Sequence, residues 1–271
     1  MTPGDDRGSE RAVPANGEPD LSALPHVVQT AWGLNRPGTR GPKRGLSVGR
    51  IVDAAVTLAD AEGLSSISMA RVAKELGFTT MSLYRYVESK DDLIELMVDR
   101  AVGPPPELMP ELGWREAIER CVVAEYDTVS RRGWWLDLPI GAPPTGPNNL
   151  AWLDHMLRAL EPTGLAESTK VEVAMNLSTY VIGRARLAKE MAANMNGPGA
   201  IDYGTVLPVL LDRSKYPALL RAVESRAFEG GEDPTKEPDW HGFRLGLDLM
   251  LDGLEEFVRK TVGEVRRKGR A

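Results

Sequence analysis

Thr79, Thr80, Ser82, Tyr84, Arg85 and Tyr86 crowd into one short stretch with no carboxylate among them. Hydroxyls, phenols and a guanidinium presented together suit phosphate oxygens and the donor–acceptor edges of bases. They do not suit nucleophilic or acid–base catalysis, which needs an activated nucleophile with a base beside it. No such pair is close in sequence anywhere in the chain, and no glycine-rich phosphate loop occurs. His26, His155 and His241 are far apart and lack metal-ligand spacing, so neither a metal nor another cofactor is expected.

The donors need elements to hold them. Ser68 predicts a helix N-cap, because its hydroxyl can accept from an otherwise unpaired N–H of the first turn. Val72, Ala73 and Leu76 then share one face. Gly77 ends that helix, since it takes the left-handed conformation without a Cβ penalty. Thr79 or Thr80 caps a second helix, on which Leu83 and Val87 are one turn apart. Two helices this short are marginal alone and must pack on something. The tight turn between them is a helix-turn-helix pattern, and Ala73 is small enough to let the second helix cross closely. Ordinary all-helical domains also contain glycine-broken helix pairs.

Upstream, Ser47 predicts the cap of a helix with Ile51, Ala54, Ala55, Leu58 and Ala59 as its stripe, ended by Gly63. Downstream, Ser89 predicts another cap. Asp91 and Asp92 fall in that helix's first turn, where carboxylates favour its dipole. Leu93, Leu96, Met97 and Val102 form its apolar face, and Gly103-Pro104-Pro105-Pro106 stops it.

Together, Gly63-Leu64, Ser68 to Gly77, Thr80 to Val87 and Lys90-Asp91-Asp92-Leu93 resemble the DNA-binding domain of tetracycline-repressor-type (TetR family) transcription regulators. The match spans about Ser47 to Val102. It implies a three-helix head, a fourth helix joining it to a helical ligand-binding and dimerisation body, and a homodimer. Carried over by position, Thr79, Thr80, Met81 and Ser82 face base edges from the recognition helix. Tyr84, Tyr86 and Lys90 reach phosphates. Ser68 and Ala70 lie where the preceding helix approaches DNA, and Ala70 offers only an apolar contact. Tyr84 equally reads as a core aromatic extending its hydroxyl. Tyr216-Pro217-Ala218-Leu219, Phe243 to Leu247 and Leu251 to Leu254 resemble the C-terminal domain of a subgroup of these regulators.

Composition is consistent with this. The chain has 271 residues and 42% hydrophobic content, enough for a sizeable core. A formal net charge of −6 argues against coating nucleic acid through bulk charge, but leaves room for a local basic surface. Cys121 is the sole cysteine, sits in an apolar helical pattern and reads as a buried small hydrophobe in a reducing, cytoplasmic setting. No apolar run approaches the ~20 residues of a membrane span.

Four regions are expected: an acidic disordered tail and basic arm over 1–45, the DNA-binding domain over 46–103, a helical effector and dimerisation domain over 104–262, and a basic tail over 263–271. In the arm, Lys43 and Arg44 belong to a run of cations with no acid between them. They meet DNA backbone or minor groove, or else form a solvated linker. The fold class is all-α. In the body, helices are expected from Trp114, from about Asn148 to Leu160, from near Ala166 to Met195, and from Phe243 to Val258. Gly183, Gly246 and Gly253 would allow close helix approach at a dimer interface, or are tolerated in packing within the chain. Trp114, Tyr126, Trp134, Trp135, Trp152, Met156, Met175, Asn176 and Tyr180 are candidates for an effector pocket, each of which also reads as core. The expected function is a repressor released from a pseudo-palindromic double-stranded DNA operator by a small, largely apolar effector. The alternatives are a helical enzyme and a DNA-binding regulator controlled by a protein partner.

Overall fold

The computed structural model describes residues 21–35, 45–139, 144–195, 203–228 and 240–268. Every regular element among them is helical: α1 His26–Ala31, α2 Val48–Glu62, α3 Met69–Glu75, α4 Thr80–Leu83, α5 Lys90–Val102, α6 Trp114–Ser130, α7 Gly133–Leu136, α8 Pro147–Leu160, α9 Glu167–Met195, α10 Tyr203–Leu210, α11 Pro217–Glu224 and α12 Trp240–Lys268, with three short 3₁₀ turns between.

The helices enclose two apolar cores. The first gathers Ile51, Val52, Ala55 and Leu58 of α2, Val72 and Ala73 of α3, Leu83 of α4, and Leu93 and Met97 of α5. It is built by local rules. Ser47, Ser68 and Ser89 have extended backbones, and each hydroxyl accepts from the N–H three residues on, at 3.3, 3.2 and 3.0 Å. Gly77 takes φ +73° at the α3–α4 turn, a conformation costly for any residue with a Cβ.

The second core lies among α6, α8, α9 and α12, with Ile118, Val122, Met156, Leu160, Leu177, Val181, Phe243 and Leu247 fully or almost fully buried. Arg244 reaches Glu119 at 2.7 Å and Arg115 reaches Glu255 at 2.8 Å, tying α12 to α6. Cys121 is buried there, and desolvation raises its thiol well above the ordinary range, so it serves as a small hydrophobe.

Three expectations change. The N-terminal tail contains α1: Val27 is buried on the first core, with Val28 and Ala31 packed beside it. Acidic composition conceals that short apolar face. Thr79 has the extended backbone of a cap, yet its hydroxyl lies 2.9 Å from that of Ser82 and not on a backbone N–H. At the other end, α12 continues to Lys268, into the stretch expected as a basic tail. The expectations for 1–20 and 36–44, including Lys43 and Arg44, lie outside the described residues, as do residues 229–239.

Candidate nucleic-acid interface and effector site

The recognition segment divides cleanly. Leu83 and Val87 are fully buried, and Tyr86 packs its ring against the first core. Met81 is 73% exposed and Tyr84 44% exposed, so the outward face of α4 presents a thioether and a phenol. Ser68, Ala70 and Thr79 are also exposed, while Thr80 and Ser82 are partly so. Tyr84 is therefore outside the core, and Tyr86 is the tyrosine that both packs and keeps a polar tip near the surface. Lys90 is exposed at the first turn of α5.

Charge separates this face from the rest of the head. Arg71 pairs with Glu62 at 2.6 Å, and Arg100 pairs with Asp53 at 2.7 Å. Among the described residues, Arg50, Lys74, Arg85 and Lys90 are exposed and have no such carboxylate partner. Unpaired cations keep their charge for an external anion, and phosphate is the anion a nucleic acid supplies. The reading by position did not single out Lys74. Its freedom from a partner depends on where the acids of neighbouring helices fall, which spacing does not reveal.

The nine candidates for an effector site do not converge. Tyr126 is buried and stacks on Phe243, with ring centroids 4.0 Å apart. Trp152 is buried and donates its indole N–H to the Gly103 carbonyl at 2.9 Å. Met156 is buried, and Trp114 is packed at the margin of the same core. Tyr180 donates to the Phe243 carbonyl at 2.8 Å, and its hydroxyl occupies the space where a Cβ at Gly246 would lie. Gly246 is thus required by packing within the chain, whereas Gly183 and Gly253 face open space.

Three candidates fall elsewhere. Met175 is 48% exposed, and Asn176 is exposed with its amide on the Glu172 carbonyl at 2.8 Å. On α9 it is Ala174, Leu177 and Val181 that point inward, so 175 and 176 are rotated out of the core by the 3.6-residue repeat. Trp134 is buried in the first core, not the second, and its indole N–H donates to Asp60 at 2.6 Å. Its neighbour Trp135 touches both cores, and its indole nitrogen is buried with no partner among the described residues.

Two further residues emerge only in three dimensions. Asp99 on α5 is buried and accepts from Asn148 Nδ2 at 2.9 Å, from the Asn149 backbone N–H at 2.9 Å and from Asn149 Nδ2 at 3.0 Å. It caps α8 from a different helix, because the cap position, Gly146, has no side chain. Glu125 on α6 is the other, with its carboxyl receiving Ser178 Oγ of α9 at 3.2 Å. Burial pushes that carboxyl up to about 7.

With this geometry the comparisons agree. Residues 51–97 match the bacterial regulatory proteins of the tetR family, and residues 105–258 match the tetracyclin repressor-like C-terminal domain. The chain belongs to the TetR family and is a DNA-binding transcriptional regulator. It is 33% identical to the HTH-type transcriptional repressor DrrR1 of Streptomyces coeruleorubidus over 265 residues, covering 95% of this chain and 94% of that protein. It is 27% identical to the HTH-type transcriptional repressor Rv1353c of Mycobacterium tuberculosis over 251 residues, covering 88% and 91%. The crystal structure of ActR from Streptomyces coelicolor in complex with actinorhodin superposes with a TM-score of 0.63 at 26% identity, over 80% of this chain and 99% of that one. These relatives are regulators, so the enzyme alternative falls. No helix among the described residues is long and apolar enough to cross a membrane.

Proposed function

We propose that this chain is a cytoplasmic homodimeric repressor that leaves a pseudo-palindromic operator when a small, largely apolar effector enters its C-terminal domain. The head is taken as residues 46–103 and the body as 104–262. The observation that carries the DNA-binding part is the outward face of α4 beside four exposed, unpaired cations. On this reading Thr79, Thr80, Met81 and Ser82 meet base edges. Tyr84, Tyr86 and Lys90 meet phosphate, and Ser68 and Ala70 flank them.

Effector response is supported by the complex of the related ActR with actinorhodin. In this chain Trp114, Tyr126, Trp135, Trp152, Met156 and Tyr180 remain as wall residues of the site. Dimerisation is supported by two unpartnered apolar stripes. Val171, Met175, Leu187 and Met191 run along α9 at multiples of four residues, with Gly183 among them. Leu245, Leu249 and Phe257 do the same on α12, with Gly253 among them. Four-residue steps set these side chains one turn apart as ridges into which the helices of a second copy can pack. A dimer would carry two recognition helices to successive major grooves.

DNA selected from a random pool by the purified chain tests the reading. A palindromic consensus, followed by release of the selected DNA on adding effector compounds, is expected. A non-palindromic half-site would count against the dimer. Release only by a protein from the same cells would replace the small-molecule reading with partner control. Leu249→Glu should leave a folded monomer by light scattering; an unchanged dimer would remove α12 from the interface.

A further inference from the structure

Met81 is 73% exposed and takes no part in either apolar core. A methionine left in water adds nothing to the fold by burial. Helix geometry fixes where it points. Leu83, two residues on, is fully buried, so Met81 lies about 160° around α4 from the buried side. Tyr84 and Arg85, three and four residues on and both exposed, fall beside it on the outward face.

The polar neighbours are partly occupied with each other. The hydroxyls of Thr79 and Ser82 lie 2.9 Å apart, and that bond uses one of their two protons. On α3, exposed Ala70 offers only a methyl group. The head thus supplies cations for phosphate at Arg50, Lys74, Arg85 and Lys90, but sends an uncharged thioether outward from the recognition helix itself.

A duplex gives that side chain a narrow choice. Base edges in the major groove present amino donors, nitrogen and oxygen acceptors, and a single apolar group, the C5-methyl of thymine. A thioether has no proton to donate and accepts weakly. Laid on a polar edge, it displaces water and leaves that edge unpaired. Laid on the methyl, it removes apolar surface from water on both sides. Its unbranched chain has three rotatable bonds with which to follow the position of the methyl group.

We propose that Met81 is a specificity-determining residue that reads the thymine C5-methyl group in the operator. This rests on the reading of α4 as the base-contacting helix. Thymine is selected because it alone satisfies an apolar side chain. Adenine, guanine and cytosine at the same place present polar atoms for which Met81 has no partner.

The test uses the full chain and the duplex it selects from a random pool. Each thymine is replaced in turn by deoxyuridine, which keeps the pairing and the O4 acceptor and lacks only the methyl. Binding should weaken about fourfold for each thymine read by Met81, the margin of one buried methyl group. Met81→Ala should weaken binding of the thymine duplex by a similar factor and bind the thymine and deoxyuridine duplexes equally, as expected when one contact has lost both its partners. Its melting temperature should stay that of the unaltered chain, because the side chain is exposed.

Indifference of the unaltered chain to deoxyuridine at every position would overturn the contact, as would a deoxyuridine loss that persists in full in Met81→Ala. If Thr80→Ala still shifts base preference in either case, α4 remains the reading element and only the thymine contact is discarded. Base preference unmoved by Thr80→Ala and Met81→Ala alike would discard both.

Discussion

The head and the body are both helical, but their helix ends are satisfied in opposite ways. In the head, Ser47, Ser68 and Ser89 each cap the helix they precede, within three residues of sequence. In the body, the cap positions of α6 and α8 are Gly113 and Gly146, which have no side chain to offer. The end of α8 is completed by Asp99, a residue of the head, and Trp152 of α8 returns a bond to Gly103 at the end of α5. The helix starts of the head at Ser47, Ser68 and Ser89 are therefore capped locally, whereas α8 of the body takes its cap from the head. The Asp99 and Trp152 bonds join α8 directly to α5, the helix that carries Lys90 at its other end.

The largest effect should come from the joint that this contrast depends on. Trp134 of α7 fills the head core and bonds Asp60 of α2, and Arg132 reaches the same carboxylate at 3.3 Å. Trp134→Ala removes a buried indole and leaves Asp60 with a weaker partner. It should lower stability by about 3–5 kcal/mol in urea denaturation. A loss below about 1 kcal/mol would mean that the head does not depend on α7.

Next in size is the contrast of caps itself. Asp99→Ala strips three donors of a buried acceptor and should cost about 2–4 kcal/mol. Ser89→Ala, a local cap on a partly exposed end, should cost about 1 kcal/mol. Equal losses in thermal melts would erase the distinction between a cross-domain cap and a local one. Gly146 offers a check on geometry: a Cβ there would lie 2.2 Å from Asp99 Oδ1, so Gly146→Ala should follow Asp99→Ala rather than Ser89→Ala.

The same contrast explains what was legible in the sequence. The Ser47, Ser68 and Ser89 caps, the Gly77 turn and most of the stripes of α2, α3 and α5 are short-range signals that the structure repeats, with the Thr79 cap the exception. The family resemblance extended this to the recognition helix, including Met81, whose exposure no propensity would suggest. The start of α6 and the bounds of α8 and α9 agree with expectation within a residue or two. By contrast, α12 starts three residues before and ends ten residues after the expected Phe243–Val258, and the facing of the body helices differs as well. Met175 and Asn176 were assigned inward on α9 and point outward, because a register error of one residue turns a helix by about 100°. Trp134 was assigned to the effector body and sits in the head, because which core a one-turn helix serves is decided by chain path and not by spacing. Glu125 carried no signal at all: one acid in an amphipathic helix looks like solvated surface until α8 and α9 close over it.

A pH series sharpens the body's side of the comparison. The folded state raises the Glu125 carboxyl from 4.5 to about 7, so the native chain holds that proton more tightly than the unfolded chain does. The stability associated with the protonated form is present below about pH 4.5 and is lost as pH rises through 7. Glu125→Gln does not titrate. It should match the unaltered chain near pH 5 and exceed it by on the order of 2 kcal/mol at pH 8. A mutant advantage that is flat with pH would assign the effect to packing.

The smallest change in stability, and the one that isolates the head, is Lys90→Ala. The side chain is exposed and has no ion pair among the described residues, so denaturation should move by no more than about 0.5 kcal/mol. Its whole effect should fall on DNA. Binding of selected and unselected duplexes should weaken together, and the slope of log affinity against log salt should flatten by about 0.9 for each subunit's lost phosphate contact. Thr80→Ala is the counterpart on the recognition helix: it should alter base preference while leaving that slope in place. If Lys90→Ala altered preference, or Thr80→Ala altered the slope, the assignment of α5 to backbone and α4 to bases would be reversed. Effector binding to either mutant should match the unaltered chain, because neither residue contributes to the second core.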